Sequence, residues 1–271
     1  MSPTPSVGPR ILAAVAVTAV VATAVVAGVA LSGPRDPESA SAAAGTSAPA
    51  SSPRATASAA RVAYLGDSYT VGTGATTEAD GWVSQLDDVF GWQGTNLGCG
   101  GSGYVAPGGS CKKAYDKRIS DVVAARPDAV IVSGGLNDVR TTDDLNELKK
   151  EVDKTFADLR IALPDAEIVA VSPLWGAGRT PSTITILGAI VETAVAKVDG
   201  TYLDIGQPLY ARPDLMIDDG IHPNDAGHRV IAEAVAETLV DVGVARESAD
   251  TEAAQAPDAT VASGAAAAPG L

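Results

Sequence analysis

Short apolar segments rich in β-branched residues alternate five times with amphipathic segments along the middle of this chain. The β-rich segments are Arg61–Gly66, Gly94–Gly98, Asp128–Gly135, Ala166–Pro173 and Gly200–Gly206, and the helical ones are Gly81–Gly91, Tyr115–Pro127, Asp143–Pro164, Ser182–Val198 and Asn224–Val242. This alternation with short connections predicts right-handed βαβ crossovers, and therefore a five-stranded parallel sheet covered by helices on both faces. Ligands of such sheets bind at the carboxyl ends of the strands, so the chemistry is expected in the loops that begin there.

The alternation is confined to residues 61–245, for which we predict one folded domain. Residues 34–60 are rich in Ser, Ala, Pro and Thr, a composition typical of a disordered linker. Residues 246–271 are rich in Ala with scattered Pro and Gly, and we interpret them as a disordered tail.

An uncharged apolar segment precedes the linker. Ile11–Leu31 contains no charged residue, and about 20 apolar residues suffice for a helix to cross a bilayer. Small residues follow in Ser39–Gly45, as they do at signal-peptide cleavage sites. Residues 1–33 are therefore either a signal peptide or an N-terminal anchor that tethers the protein to a membrane through residues 11–31. Both alternatives place the domain outside the cytoplasm.

The formal net charge is −14, which argues against nucleic acid as a partner because binding to phosphates requires a basic surface.

The chain has two cysteines, Cys99 and Cys111. They are too few and too widely spaced for a tetrahedral zinc site, and only two histidines could complete one. Outside the cytoplasm a disulfide is favoured over two free buried thiols. It would close a loop of about a dozen residues and stabilise the fold by about 3 kcal/mol.

A glycine-rich turn, Gly66–Gly74, follows the first predicted strand and contains Ser68. The spacing of its glycines does not fit a dinucleotide-binding fingerprint, which requires G-x-G-x-x-G at the turn. It also fails the G-x-S-x-G pattern of the nucleophile elbow, because Thr70 occupies the last glycine position. Ser68 would therefore have to act as a nucleophile in another kind of turn.

A serine nucleophile needs a base within hydrogen-bonding reach and a group that orients the base. His222 lies in a loop before the last helix and is the candidate base, whereas His228 lies inside that helix and is expected at the surface or in a capping role. Asp219 precedes His222 by three residues, a spacing that can bring its carboxylate to the imidazole. Asp218 is the alternative for that role.

The oxyanion of a tetrahedral intermediate needs hydrogen-bond donors directed at it. The candidates are the backbone N–H of Ser68, a glycine N–H in Gly98–Gly103, and the side-chain amide of Asn137. A glycine can approach closely because it lacks a Cβ. Asn137 could instead only stabilise its own turn.

Taken together, four segments resemble the sequence blocks of the SGNH hydrolases, the GDSL-type esterases and lipases. "GDSYTVG" resembles the block that carries the nucleophile, Ser68, with Tyr69 in place of the usual leucine, a change that alters packing rather than chemistry. "NLGCGG" resembles the second block, in which Gly101 matches the oxyanion glycine and Gly100 and Gly103 are alternatives. "GLND" places Asn137 at the oxyanion asparagine, and "DGIHPN" places Asp219 and His222 at the triad acid and base.

The resemblance implies a flavodoxin-like three-layer α/β/α sandwich that hydrolyses acyl esters through a serine acyl-enzyme, without metal or organic cofactor. The substrate is expected to be a small-molecule, glycan or lipid acyl ester, with a short acyl or acetyl group favoured because only 4% of the residues are aromatic and no lid-like insertion is present. The protein is expected to be a monomer. An acyltransferase with the same serine and a non-catalytic glycan-binding module are the alternatives.

Three further residues, Tyr104, Trp175 and Arg179, lie near the predicted strand ends. They either shape the substrate pocket or serve as packing and surface residues.

Overall fold

A computed structural model of the chain describes residues 59–245. The strands are β1 (Arg61–Gly66), β2 (Gln93–Gly98), β3 (Ala129–Val132), β4 (Glu167–Val171) and β5 (Thr201–Leu203). The α-helices are α1 (Ser68–Val71), α2 (Trp82–Phe90), α3 (Ile119–Ala124), α4 (Asp138–Thr141), α5 (Leu145–Ala162), α6 (Ser182–Ala196) and α7 (Asp225–Asp241), with short 3₁₀ turns at Glu78–Asp80, Tyr115–Arg118 and Pro213–Leu215.

The five strands form one sheet in the order β2-β1-β3-β4-β5, and every pair is parallel. The register places Val62 opposite both Gly94 of β2 and Ala129 of β3. The direction of strand addition reverses between β1 and β3, and a crevice for ligands opens at the carboxyl ends of strands flanking such a point. The predicted five-stranded parallel sheet of an α/β fold is confirmed.

The central strands are apolar along their whole length because they are buried on both faces. Successive side chains point to opposite faces, so Tyr64 and Ile131 pack beneath α2 and α7, whereas Leu65 and Val132 pack beneath α3, α5 and α6. The sheet therefore lies between two helical layers with a separate apolar core on each side. Strand β2 is at the edge and is largely exposed.

The helix α6 forms as predicted despite its β-branched residues, because Ile184, Leu187 and Val191 recur on one face and are fully buried there. The segment predicted as a helix over Tyr115–Pro127 is divided, with a 3₁₀ turn before the short α3. The four-residue helices α1 and α4 were not predicted, since each is too short to show a hydrophobic period.

The predicted signal peptide or anchor (1–33), nearly all of the predicted linker (34–60) and the predicted tail (246–271) lie outside the described residues. Within residues 59–245, no helix combines the length and the apolar character needed to cross a membrane.

Candidate active site

Ser68 is the first residue of α1, directly after the carboxyl end of β1. The side chain of Asp67 caps this helix by accepting a hydrogen bond from the N–H of Tyr69 at 2.9 Å. The helix lies against the end of β2, where a Cβ at Gly98 would overlap the backbone nitrogen of Val71. The glycine thus lets α1 approach the sheet edge, and Ser68 is presented, half-buried, above it.

His222 lies next to Ser68, although the two are 154 positions apart in the sequence. Its Nε2 is 3.0 Å from Ser68 Oγ, and its Nδ1 is 2.6 Å from Asp219 Oδ2. A tautomer protonated on Nδ1 donates to the carboxylate and leaves Nε2 free to accept the serine proton. The sequence-predicted nucleophile, base and acid are therefore brought together in one line of hydrogen bonds.

Asp219 also fixes the loop that carries the histidine. Its Oδ1 accepts the backbone N–H groups of Ile221 at 2.8 Å and His222 at 2.9 Å. These hydrogen bonds, with the one from the His222 side chain, lower the pKa of Asp219 to about 2. Asp219 remains ionised, whereas the alternative acid, Asp218, is exposed and makes no hydrogen bond within the described residues.

His228 is not at the surface, so that expectation was wrong. It is fully buried, and its Nε2 lies 3.2 Å from the carbonyl oxygen of Thr73. Burial lowers the pKa of His228 and so favours the neutral imidazole. His228 lies on the apolar face of α7 together with Ile231 and Val235, and that face packs into the core, so the helical spacing of these residues was the signal that the expectation overlooked.

Tyr69 contributes more than packing. The ring is buried beside His222, with their centroids 6.2 Å apart, and its hydroxyl donates to the carbonyl oxygen of Ile221 at 2.6 Å. A leucine at this position could not make that bond. The side chain thus joins the nucleophile helix to the histidine loop.

The glycine-rich turn after β2 lies beside Ser68. A Cβ at Gly100 would be 4.0 Å from the Cβ of Ser68. Gly101 has a φ of 77°, a backbone conformation that favours glycine. Within residues 59–245 the N–H groups of Ser68, Gly100 and Gly101 donate to no acceptor, whereas that of Gly103 donates to Ala106 O at 2.9 Å. Of the two alternatives to Gly101, Gly100 has an available N–H and Gly103 does not.

A disulfide between Cys99 and Cys111 closes the loop that follows this turn. The pairing is the one that the sequence favoured over two free thiols. It ties the two ends of the loop together, with Cys99 itself buried next to the glycines. The disulfide therefore restrains the segment that carries the available N–H groups.

Asn137 lies at the start of α4, above the end of β3. Its side-chain amide nitrogen is 3.1 Å from the carbonyl oxygen of Ser102 and 3.5 Å from Asp67 Oδ2. The first distance is that of an ordinary hydrogen bond and the second is too long for a strong one. One amide hydrogen is thus engaged with protein, and the other is only weakly held.

Asp138 has a structural role that the sequence analysis did not assign. Its carboxylate is fully buried and accepts the backbone N–H groups of Tyr104, Val105 and Ala106 at 2.7–3.0 Å. A Cβ at Gly103 would overlap this carboxylate, so the loop after β2 can wrap around it only with glycine there. The sequence signal for this role was an acidic residue directly after a predicted strand end, since a carboxylate that is buried there needs hydrogen-bond donors from nearby loops.

Arg118 is a second residue that the sequence did not single out. Its buried guanidinium donates to the carbonyl oxygen of Leu97 in β2 and makes a longer contact, 3.5 Å, with that of Gly66 in β1. Burial lowers the pKa of Arg118, yet arginine remains charged in proteins. The side chain therefore holds the ends of the two strands together directly beneath the serine turn.

The three pocket candidates differ in their surroundings. Tyr104 is buried and packs edge-on against Tyr115, so it belongs to the core. Trp175 is half-buried, and Arg140 lies over its ring. Arg179 is exposed in the same loop as Trp175.

Within the described residues, no group of three or more His, Cys, Asp or Glu could hold a metal ion.

A serine, a histidine and a carboxylate joined by hydrogen bonds at the carboxyl edge of a parallel sheet form the arrangement found in serine hydrolases. Sequence comparison agrees with this class. A model of the GDSL-like lipase/acylhydrolase family matches residues 64–230. The chain is also 27% identical over 189 residues to a GDSL lipase of Mycobacterium tuberculosis (strain ATCC 25618 / H37Rv), a match that covers 66% of this chain and 80% of that protein.

Two solved structures share the fold. The psychrotrophic esterase EstA from Pseudoalteromonas sp. superposes with a TM-score of 0.56 at 15% identity, covering 68% of this chain and 98% of that one. LAE5, an alpha/beta hydrolase enzyme from the metagenome of Lake Arreo, gives 0.53 at 22% identity and covers 67% and 95%. The chain belongs to the GDSL-like lipase/acylhydrolase family. It is therefore a serine ester hydrolase of the SGNH type.

The burial of the Asp67 carboxyl at the start of α1 predicts how the stability of the protein depends on pH. The side chain of Asp67 is buried beneath the site, and burial raises its pKa to about 6. Because the pKa in the folded state exceeds that in the unfolded state, the folded state binds more protons between about pH 4 and 6. Stability from this group is thus lost as the pH rises through that window.

We expect the free energy of unfolding of the wild type to fall relative to that of Asp67→Asn by up to about 3 kcal/mol between pH 4 and pH 7. Asparagine can still cap α1 but does not titrate. Denaturant unfolding at a series of pH values measures the difference. Asp218→Asn, which removes an exposed carboxylate, is the control and should track the wild type. Parallel curves for Asp67→Asn and the wild type would contradict the assignment.

Proposed function

We propose that this protein is an extracytoplasmic esterase that hydrolyses short acyl esters, with Ser68, His222 and Asp219 as its catalytic triad. The observation that carries the proposal is the line of hydrogen bonds from Ser68 Oγ through the His222 ring to Asp219, at 3.0 and 2.6 Å. A serine hydroxyl is a poor nucleophile unless a base takes its proton, and an oriented histidine supplies that base.

In the first half of the reaction Ser68 Oγ attacks the ester carbonyl while His222 Nε2 takes the serine proton. Asp219, ionised and hydrogen-bonded to Nδ1, stabilises the resulting imidazolium. The imidazolium then gives its proton to the alcohol, which leaves as the acyl-enzyme forms. In the second half a water molecule repeats the attack with the same base, and the carboxylic acid is released.

The oxyanion of each tetrahedral intermediate is assigned to three donors: the N–H groups of Ser68 and Gly101 and the side-chain amide of Asn137. The two N–H groups have no acceptor within residues 59–245, which leaves them available. The Asn137 amide nitrogen donates to Ser102 O, and its second hydrogen is the candidate donor to the oxyanion because its contact with Asp67 is 3.5 Å long. Gly100 is the alternative to Gly101.

Short acyl groups are favoured by the construction of the site. The ring of Tyr69, which lies beside His222, is buried with its hydroxyl already bonded to backbone, and only 4% of the residues are aromatic. The alcohol part is that of a small molecule, a glycan or a lipid.

A series of p-nitrophenyl esters tests both the nucleophile and the acyl preference. We expect the wild type to cleave the acetate and butyrate faster than the decanoate, and Ser68→Ala to lose several orders of magnitude in kcat. Ser110→Ala, an exposed serine of the neighbouring loop, is the matched control and should behave as the wild type. Equal rates for Ser68→Ala and the wild type would reject Ser68 as nucleophile, and a preference for decanoate would reject the short-acyl assignment.

Replacement of Asn137 tests the oxyanion assignment. We expect Asn137→Ala to reduce kcat for p-nitrophenyl acetate roughly 10²–10³-fold with little change in KM, because the donor acts mainly on the charge that develops in the transition state. Steady-state kinetics and thermal unfolding on the same preparation separate a catalytic from a folding defect. An unchanged kcat would reduce Asn137 to a residue that stabilises its turn.

The extracytoplasmic location is supported by the uncharged segment Ile11–Leu31 and by the disulfide between Cys99 and Cys111, since disulfides persist in oxidising compartments. We expect the full-length chain, produced in a bacterial host, to be found in the membrane or outside the cytoplasm, and a variant lacking residues 11–31 to stay in the cytosol. Fractionation locates the protein, and N-terminal sequencing distinguishes a cleaved signal from an anchor. A cytosolic full-length chain would contradict the proposal.

A further inference from the structure

Arg140 is an exposed cation without a carboxylate partner. Its Cζ lies 5.6 Å from the centre of the Trp175 ring, and within residues 59–245 its guanidinium makes no ion pair and no hydrogen bond. By contrast, Arg61 and Arg212 are paired with aspartates. Other cations of residues 59–245, Arg126 and Arg179 among them, also make no ion pair, but of the arginines and lysines in this range only Arg140 lies over an aromatic ring.

A continuous set of contacts places this pair beside the active site. Arg140 belongs to the short helix that begins after Asn137, and its N–H donates to the carbonyl oxygen of Asn137 at 3.2 Å. On the other side, Trp175 precedes Gly176, where an added Cβ would lie 3.2 Å from Tyr69 Oη and 3.7 Å from the carbonyl oxygen of Ile221. Arg140 is therefore one helical turn from Asn137, and Trp175 is joined to a glycine that packs close to Tyr69 and the histidine loop.

The aromatic side of the pair is held in place by backbone contacts. Gln207 accepts the N–H of Trp175 at 2.9 Å and donates to the carbonyl oxygen of Pro173 at 2.8 Å. Gly176 has a φ of 91°, which allows the chain to turn directly against Tyr69. The backbone that carries the indole is thus fixed, and the helix that carries Arg140 begins at Asp138, whose buried carboxylate holds three backbone N–H groups.

We propose that Arg140, which lies over the Trp175 ring, binds an anionic group of the ester substrate, a carboxylate or a similar oxyanion. The contact with the indole uses no N–H donor, so the N–H groups of the guanidinium remain free for a carboxylate. The cation also offsets the repulsion that an acidic protein exerts on an anionic substrate. This inference rests on the proposed esterase function and specifies the class of ester that the site prefers.

Two pairs of substrates test the inference and locate the anionic group. 4-Acetoxybenzoate and 4-acetoxybenzamide differ in charge on the alcohol side. The p-nitrophenyl monoester of adipic acid and its monoamide counterpart differ in charge on the acyl side. For at least one pair we expect the wild type to prefer the anionic member in kcat/KM. We expect Arg140→Gln to lower that anionic-to-neutral ratio roughly tenfold, the effect of losing a charge-assisted hydrogen bond.

Arg140→Lys keeps the charge and should retain part of the preference. Arg126→Gln is the matched control, because Arg126 is an exposed arginine at the opposite end of the sheet, just before β3. The wild-type preference should also weaken as salt is raised, since exposed charges are screened. A pure packing role for Arg140 would not produce these charge-dependent effects.

The outcomes separate this inference from the proposed function. If the wild type cleaves the neutral esters and Ser68→Ala does not, the esterase stands. The anionic subsite is then overturned if Arg140→Gln leaves the anionic-to-neutral ratio of kcat/KM unchanged in both pairs. It is also overturned if Arg126→Gln lowers that ratio as much as Arg140→Gln does. An equal loss of kcat/KM for the anionic and the neutral esters in Arg140→Gln would overturn it as well. If the wild type cleaves none of the four esters, the proposed function itself is overturned.

Discussion

The parallel pairing of β1 with both β2 and β3 is the constraint on which the site depends. Because all three strands run in the same direction and in register, their carboxyl ends lie side by side. The residues that follow each strand therefore meet at one edge of the sheet. Ser68 follows β1, the glycine turn follows β2, and Asn137 follows β3. An antiparallel arrangement of the same segments would send them to opposite edges.

Several charged groups are buried beneath this edge, where they connect the loops rather than react. Asp138 gathers three backbone N–H groups of the loop after β2, and Arg118 binds the carbonyl oxygens at the ends of β1 and β2. A buried charge is tolerated only where it is compensated by hydrogen bonds. Loss of Asp138 or Arg118 is therefore expected to displace the loop that it holds. The positions of the reactive side chains depend in this way on buried polar contacts beneath them.

Much of the fold could be predicted because its longer helices and strands show hydrophobic periods or apolar runs within the sequence. The long helix α5 and the buried strands β3 and β4 have clear periods or apolar runs, and they form where predicted. The helices α1 and α4 could not be predicted in this way, since four residues show no period. The hydrogen bond of His228 could not be predicted either, because its acceptor, the carbonyl oxygen of Thr73, lies 155 positions away in another loop.

The sequence by itself determined the alternation of strands and helices, and it identified Ser68, Asn137, Asp219 and His222 as the candidate site. Their chemistry and their positions after predicted strands are visible in the chain. Only the tertiary structure decided that Gly103 has no free N–H and that Asp138 anchors the neighbouring loop. It alone brought Arg140 over the ring of Trp175, which lies 35 positions further along the chain. The physical reason is that spacing along a chain reports local geometry, whereas these contacts join distant segments and exist only once the layers have packed.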